Sequence, residues 1–168
     1  MPERSRWAIV LALAAAFSPA AARADTGTAS GTISYRSKAG AVVVMPRHAY
    51  LVKGPDTVTG NTVRRIVLSA SDLAPKLRSC ATMMCGDGDM REGLTIDLDA
   101  GPRINYWFVA DGQRIQYSGT AEASSLRLTT DTPRRLAGRW NVDERAAGGP
   151  QVHVEFDAAL LKVFTKAH

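Results

Sequence analysis

Apolar residues recur at every second position through most of this chain, and that period decides what it can fold into. EGLTIDLDA sets Leu94, Ile96 and Leu98 against Thr95, Asp97 and Asp99. GPRINYWFVADG puts Ile104, Tyr106 and Phe108 on one side. Asp111-Gly112 then marks a two-residue hairpin turn, and QRIQYSGTA returns with Ile115 and Tyr117. GTISYRS, NTVRRIVLS, SSLRLTT, RRLAGRWNVD, QVHVEFDA and ALLKVF read as further extended segments. Pro46, inside GAVVVMPRHAYLVKG, removes a backbone donor, so that segment is an edge strand or carries a bulge. Side chains of a strand leave alternately to opposite faces, so this pattern belongs to an antiparallel sheet with one buried side. About eight to ten such strands must pack on another sheet or close on themselves. The expectation is an all-β fold, an antiparallel β-sandwich with one short helix, with a closed barrel as the alternative. The helix is LAPKLRSC, with Ser71 or Asp72 as its cap and Leu73 and Leu77 on one side. DTGTASG, residues 25–31, is small and polar and reads as a frayed start.

The first residues carry a different signal. Arg4 and Arg6 precede a continuous apolar run from Trp7 to Phe17, Ser18-Pro19 breaks it, and Ala22-Arg23-Ala24 is a small-x-small cleavage site. This is the plan of a secretory signal peptide. The run is 11 residues, against about 20 for a membrane-spanning helix. Residues 1–24 are therefore expected to be removed, leaving 25–168 as one domain in the periplasm or outside the cell. That part holds 18 basic and 15 acidic side chains, a formal charge of +3. The charge is modest and mixed. The pairs Arg64-Arg65 and Arg134-Arg135 read as solvated strand positions, and a nucleic-acid partner lacks the basic stripe with stacking aromatics that it needs.

Most of the distinctive chemistry lies in CATMMCGDGD, residues 80–89. Cys80 and Cys85 are the only cysteines, and in an exported protein so close a pair is most simply a disulfide. Copper is an alternative: both thiols reduced, with Met83, Met84 or Met90 adding thioethers, and Met45 and His48 joining if the fold brings them near. A CxxxxC redox pair lacks the CxxC spacing that lowers a thiol pKa. Calcium is a third possibility, through Asp87, Asp89 and Glu92, although Glu92 stands where a calcium loop requires glycine. No cofactor is otherwise implied. His48 shares a face with Val44, Tyr50 and Val52 if the alternation continues past Pro46. His153 lies on an alternating polar face. Trp107 is either packing or an exposed aromatic of a binding patch, with Tyr117 as a further candidate. Ser118, in YSGT, lacks the strand-to-helix elbow of a nucleophile. The metalloprotease, P-loop and dinucleotide fingerprints are absent.

GTISY, PRHAYLV, LSASDL, YSG and LAGRWNVD…GGPQVHVEFDAALLKVF together resemble exported bacterial β-rich proteins of uncharacterised function, over nearly all of residues 25–168. The resemblance implies a fold and a compartment and carries no activity. Ser118-Gly119 is similar to the Ser-Gly loop of periplasmic lysozyme inhibitors. The expectation is a non-enzymatic recognition protein whose partner is a protein. The surface would be the 80–92 loop with Met83, Met84, Asp87, Asp89, Trp107 and Tyr117. A copper or calcium carrier, an inhibitor of a cell-wall hydrolase, and a hydrolase are the alternatives.

Overall fold

The computed structural model describes residues 27–38, 40–99, 101, 103–120 and 125–168. The expected signal peptide and its cleavage point lie outside these residues. Strands β1 (Gly27–Ser37), β2 (Gly40–Val44), β3 (His48–Pro55), β4 (Thr62–Ser69), β5 (Gly93–Asp97), β6 (Arg103–Ala110), β7 (Gln113–Thr120), β8 (Leu126–Thr132), β9 (Arg135–Asp143) and β10 (Gln151–Val163) join in one sheet, together with a single α-helix, α1 (Ala74–Ser79), among the described residues. The order is β7-β6-β5-β4-β3-β1-β10-β9-β8, with β2 paired to β1. All the ladders are antiparallel except β10 on β3. The all-β expectation with one short helix holds.

The sheet is rolled so that its flanks face each other. Arg64 of β4 reaches Asp131 of β8 at 2.5 Å, and Tyr106 of β6 stacks on Trp140 of β9 with ring centroids 6.2 Å apart. The inner faces share one apolar core, including Ile33, Leu51, Ile66, Leu94, Ile96, Phe108, Leu136, Val152 and Val154. These are the residues that the period of two selects. The arrangement is sandwich-like, but its two walls belong to a single continuous sheet. No ladder joins β7 to β8 among the described residues, so the closed barrel is not formed.

Three local expectations are corrected. Residues 27–31 are not frayed: β1 starts at Gly27, and Thr28 to Gly31 pair with Asp157 to Val154 of β10. Their small size permits this, because a Cβ on Gly31 would collide with the His153 carbonyl oxygen. The alternation does not continue through Pro46. Val44 enters the inner core, whereas Tyr50 and Val52 lie in a second cluster on the outer face. His48 stays half-buried beside Tyr50. The break at Met45–Arg47 thus turns β2 and β3 to different faces. Arg65 is not solvated but 2% exposed.

The second cluster explains the helix and the cysteine loop. The outer faces of β3, β4 and β6 carry Tyr50, Val52, Val63, Val67 and Trp107. Apolar side chains on both faces cannot be left in water, so a cover is required. Leu73, Ala74 and Leu77 of the helical segment, Cys80, Met83 and Met90 of the loop, and Phe164 supply it. The N-cap of the helix is Leu73, without a side-chain cap, rather than Ser71 or Asp72. Asp72, just before it, accepts the Ala74 N–H at 2.8 Å and the Tyr50 hydroxyl at 2.6 Å through Oδ1. The hairpin at Asp111-Gly112 takes positive φ at both residues, 52° and 74°, as its sequence predicts.

Gly93 begins β5 where the loop re-enters the sheet. Its φ is +152°, and a Cβ there would collide with the Leu68 carbonyl oxygen and crowd Met90. Gly93→Ala is expected to lose roughly 2–3 kcal/mol of stability through strain and displaced packing. Urea denaturation of the purified residues 25–168 measures it. An unchanged midpoint would show that β5 does not need this close approach.

Candidate functional site

Beyond the loop cover, the outer face of β4–β7 turns polar in register. Arg65 pairs with Asp97, Asp97 with Arg103 and Arg103 with Thr120, one row of the ladder. The next row is Val67, Thr95, Asn105 and Ser118, and the one after it Ser69, Gly93, Trp107 and Gln116. The third row lies partly beneath the loop, because Trp107 is 1% exposed. Arg65, Asp97, Arg103 and Thr120 of the first row and Asn105 and Ser118 of the second line an open cleft of about 510 Å³, with Thr57 and Met84 beside them.

The charges in this cleft are already matched. Arg65 binds Asp97 through two hydrogen bonds, Nε to Oδ1 at 2.5 Å and Nη2 to Oδ2 at 2.8 Å. Its Nη1 reaches the Asp87 carboxylate at 3.3 Å and the Met84 sulfur at 3.1 Å. Arg103 contacts Asp56 and lies 3.8 Å from Asp97. The Asp56 carboxylate also accepts the backbone N–H groups of Val58 and Thr59. Burial pushes the Asp87 carboxyl above its usual range, and Arg65 partly offsets that push. A buried ion pair of this kind does not favour folding strongly by itself, but losing one partner leaves a bare charge inside the protein.

The cysteine loop is held from several sides. Cys80 and Cys85 form a disulfide, and Met83–Gly88 winds as a 3-10 helix. The Met83 and Met84 N–H groups donate to the Lys166 and Ala167 carbonyls. Lys76 pairs with Asp89 at 2.7 Å. Arg114 of β7 donates to the Asp87 and Gly88 carbonyls and lies 5.9 Å over the Trp107 ring.

These positions redistribute the residues singled out from the sequence. Met83, 2% exposed, and Trp107 are core, so they form no exposed surface. Tyr117 points the other way, since it pairs with Tyr106 and packs against the inner cluster. It shares no face with the loop. Met84 does line the cleft, and Asp87 meets it at Arg65. Both cysteine sulfurs are spent in the disulfide, which removes the thiols of the copper set. Asp87 and Asp89 engage Arg65 and Lys76, Met45 stands 58% exposed beside β2, and Glu92 is only half-buried. Among the described residues no three His, Cys, Asp or Glu side chains are grouped to hold a metal ion. His153 is exposed and bonds Asn141 and Gln151. Ser118-Gly119 lies within β7 rather than in a loop. The Ser118 hydroxyl donates to the Asn105 amide oxygen at 2.7 Å, and an amide is not a base that could activate it.

The network around Arg65, Asp97, Arg103 and Asp56 escapes sequence reading because its members are far apart along the chain. One signal was present: Asp97 and Arg65 interrupt apolar strands at alternating positions, and a charge there needs a partner. Comparison with protein-family models, curated proteins and solved structures finds no match for this chain.

Two measurements follow. Asp97→Asn should cost about 3–5 kcal/mol by stranding the Arg65 guanidinium, whereas Arg65→Met with Asp97→Leu should cost distinctly less. Denaturant titration of both variants distinguishes a coupled pair from two independent losses. The second concerns the interior, where Glu144 Oε2 and Tyr106 Oη are buried with no hydrogen-bond partner among the described residues. Burial raises the Glu144 carboxyl above its ordinary value. The fold thus prefers the protonated acid, and the associated stability is present below the unfolded pKa and lost as pH rises through the folded one. Glu144→Gln should therefore be more stable than the parent at pH 7, with the gap closing towards pH 4. Unfolding midpoints across that range, rising in parallel for both proteins, would contradict this.

Proposed function

We propose that this chain is an exported, non-enzymatic binding protein that takes a protein partner at the cleft on β4–β7, beside the Cys80–Cys85 loop. One observation carries the reading: a rigid rim stands over an open polar floor whose charges are already paired. The rim is fixed by the disulfide, by Arg65 and Arg114 contacts and by the ends of the chain segment at Lys166 and Ala167. A surface ordered before binding loses little entropy on association. Its hydroxyl and amide groups, Thr57, Asn105, Ser118 and Thr120, with the Met84 thioether, offer hydrogen bonds and a soft contact.

The same geometry supports recognition over turnover. Asp97 at the floor and Asp56 beyond it are engaged by arginines, and Ser118 is held by an amide. Among the described residues no acid or base there is poised to exchange a proton with a guest. The signal-like first 24 residues and the disulfide support export, because thiols so close together pair in oxidising compartments.

The test is site-directed photo-crosslinking. A photoreactive residue at Ser118 should give a discrete adduct from the exported fraction, and the same group at Thr129, on the far outer face, should not. The captured protein, once purified, should bind the parent chain and bind Asn105→Trp at least about tenfold more weakly. Cys80→Ser with Cys85→Ser should lose about 2 kcal/mol of stability and weaken that affinity while keeping the fold. Equal capture at both positions, or affinity untouched by Asn105→Trp, would remove the cleft from consideration.

A further inference from the structure

Strand β2 is the other unusual surface. Among the described residues it forms a ladder only with β1, and it lies off the path of the main sheet. Its sequence, Gly40–Val44, is GAVVV, apolar and β-branched without a charge. Strand edges of that composition are ordinarily protected by lysine, proline or a covering element. Four large hydrophobic side chains stand mostly in solvent among the described residues, and two are here: Val43 at 56% and Met45 at 58%.

The backbone register gives the edge its direction. Ser37 and Gly40, three apart in the chain, are the terminal pair of the β1–β2 ladder, and a pair so close along the chain is of the hydrogen-bonded kind. Bonded and non-bonded pairs alternate along an antiparallel ladder. Ala41 and Val43, opposite Arg36 and Ser34, therefore direct their N–H and C=O groups away from β1.

Charge narrows the occupant. Every formal charge from residue 26 to residue 55 is positive: Arg36, Lys38, Arg47 and Lys53. Arg36, Lys38 and Arg47 are exposed. They border the two ends of β2, and no side-chain ion pair holds them among the described residues. A second copy of this chain fits poorly. Antiparallel pairing of two β2 edges would bring Arg36 and Lys38 of one copy beside Arg47 of the other, and parallel pairing would set each cation against itself. Like charges across a sheet oppose association.

We propose that the β2 edge accepts an extended, acidic segment of a partner protein as an added strand. Backbone hydrogen bonds at Ala41 and Val43 would supply the pairing, Val43 and Met45 an apolar footing, and the three cations the preference for carboxylates. This surface is separate from the β4–β7 cleft, and the two readings stand or fall independently.

The probe is a short peptide alternating glutamate and valine, compared with its lysine-for-glutamate counterpart by calorimetry and by backbone hydrogen exchange. The acidic peptide should bind, slow exchange at Ala41 and Val43, and lose affinity as salt is raised, while the lysine peptide should not bind. Val43→Pro removes an outward N–H and should weaken binding at least about tenfold with the thermal midpoint retained. The triple variant Arg36→Glu, Lys38→Glu, Arg47→Glu keeps the backbone edge and should reverse the preference toward the lysine peptide. It carries the test if Val43→Pro does not fold. Absence of binding, equal binding of both peptides, or protection that falls elsewhere would overturn the proposal. So would sedimentation showing a dimer of the parent chain that Val43→Pro dissolves, since the occupant would then be a second copy.

Discussion

Strand β3 and parts of β4 and β6 carry apolar side chains on both faces, and the outer architecture follows from that constraint. A sheet wetted on one side would expose Tyr50, Val52, Val67 and Trp107, each of which is buried. Covering them recruits the only α-helix among the described residues, the disulfide loop and Phe164 from the end of β10. The loop is thus first a lid on a hydrophobic patch and only second a rim. Its sulfur-rich composition suits that task. Methionine fills irregular gaps, and Met83 does so against the β3 face, next to Gly54 and Phe164.

Where the lid ends, the sheet changes chemistry within one residue pair. Trp107 is covered, Asn105 two residues earlier lines the cleft, and Arg103 two earlier again contacts Asp56. Arg65 spans the transition, with its guanidinium between Asp97 on the sheet and Asp87 on the lid. Lid and floor are therefore joined by charge as well as by packing.

The inner face was legible from the sequence because one rule, alternation, governs it from β4 to β10. Ile104, Tyr106 and Phe108, and Val152, Val154 and Phe156, all fall in the main core as their spacing requires. The disulfide and the Asp111-Gly112 turn were legible for similarly local reasons. The outer face was not. Whether Trp107 meets water depends on whether a loop from residues 80–90 crosses it, and no spacing within β6 encodes that. Likewise Arg64 and Arg65 look alike in the chain, yet one reaches across the roll to Asp131 and the other lies beneath the lid. Alternation also failed at Pro46, where three residues outside any strand reset which face the following positions occupy.

The longest strand has a consequence for the order of assembly. β10 runs from Gln151 to Val163, pairing antiparallel with β1 and then parallel with β3. A chain delivered from its N-terminus presents β1 before the other described strands, yet β1 meets that neighbour only after β2 to β9 have been supplied. Until then the segments from β3 to β7 can zip into a meander with an open border. Closure is a late and long-range event, of the kind that slows folding. For this topology the nascent chain is at its most adhesive just before β10 is supplied.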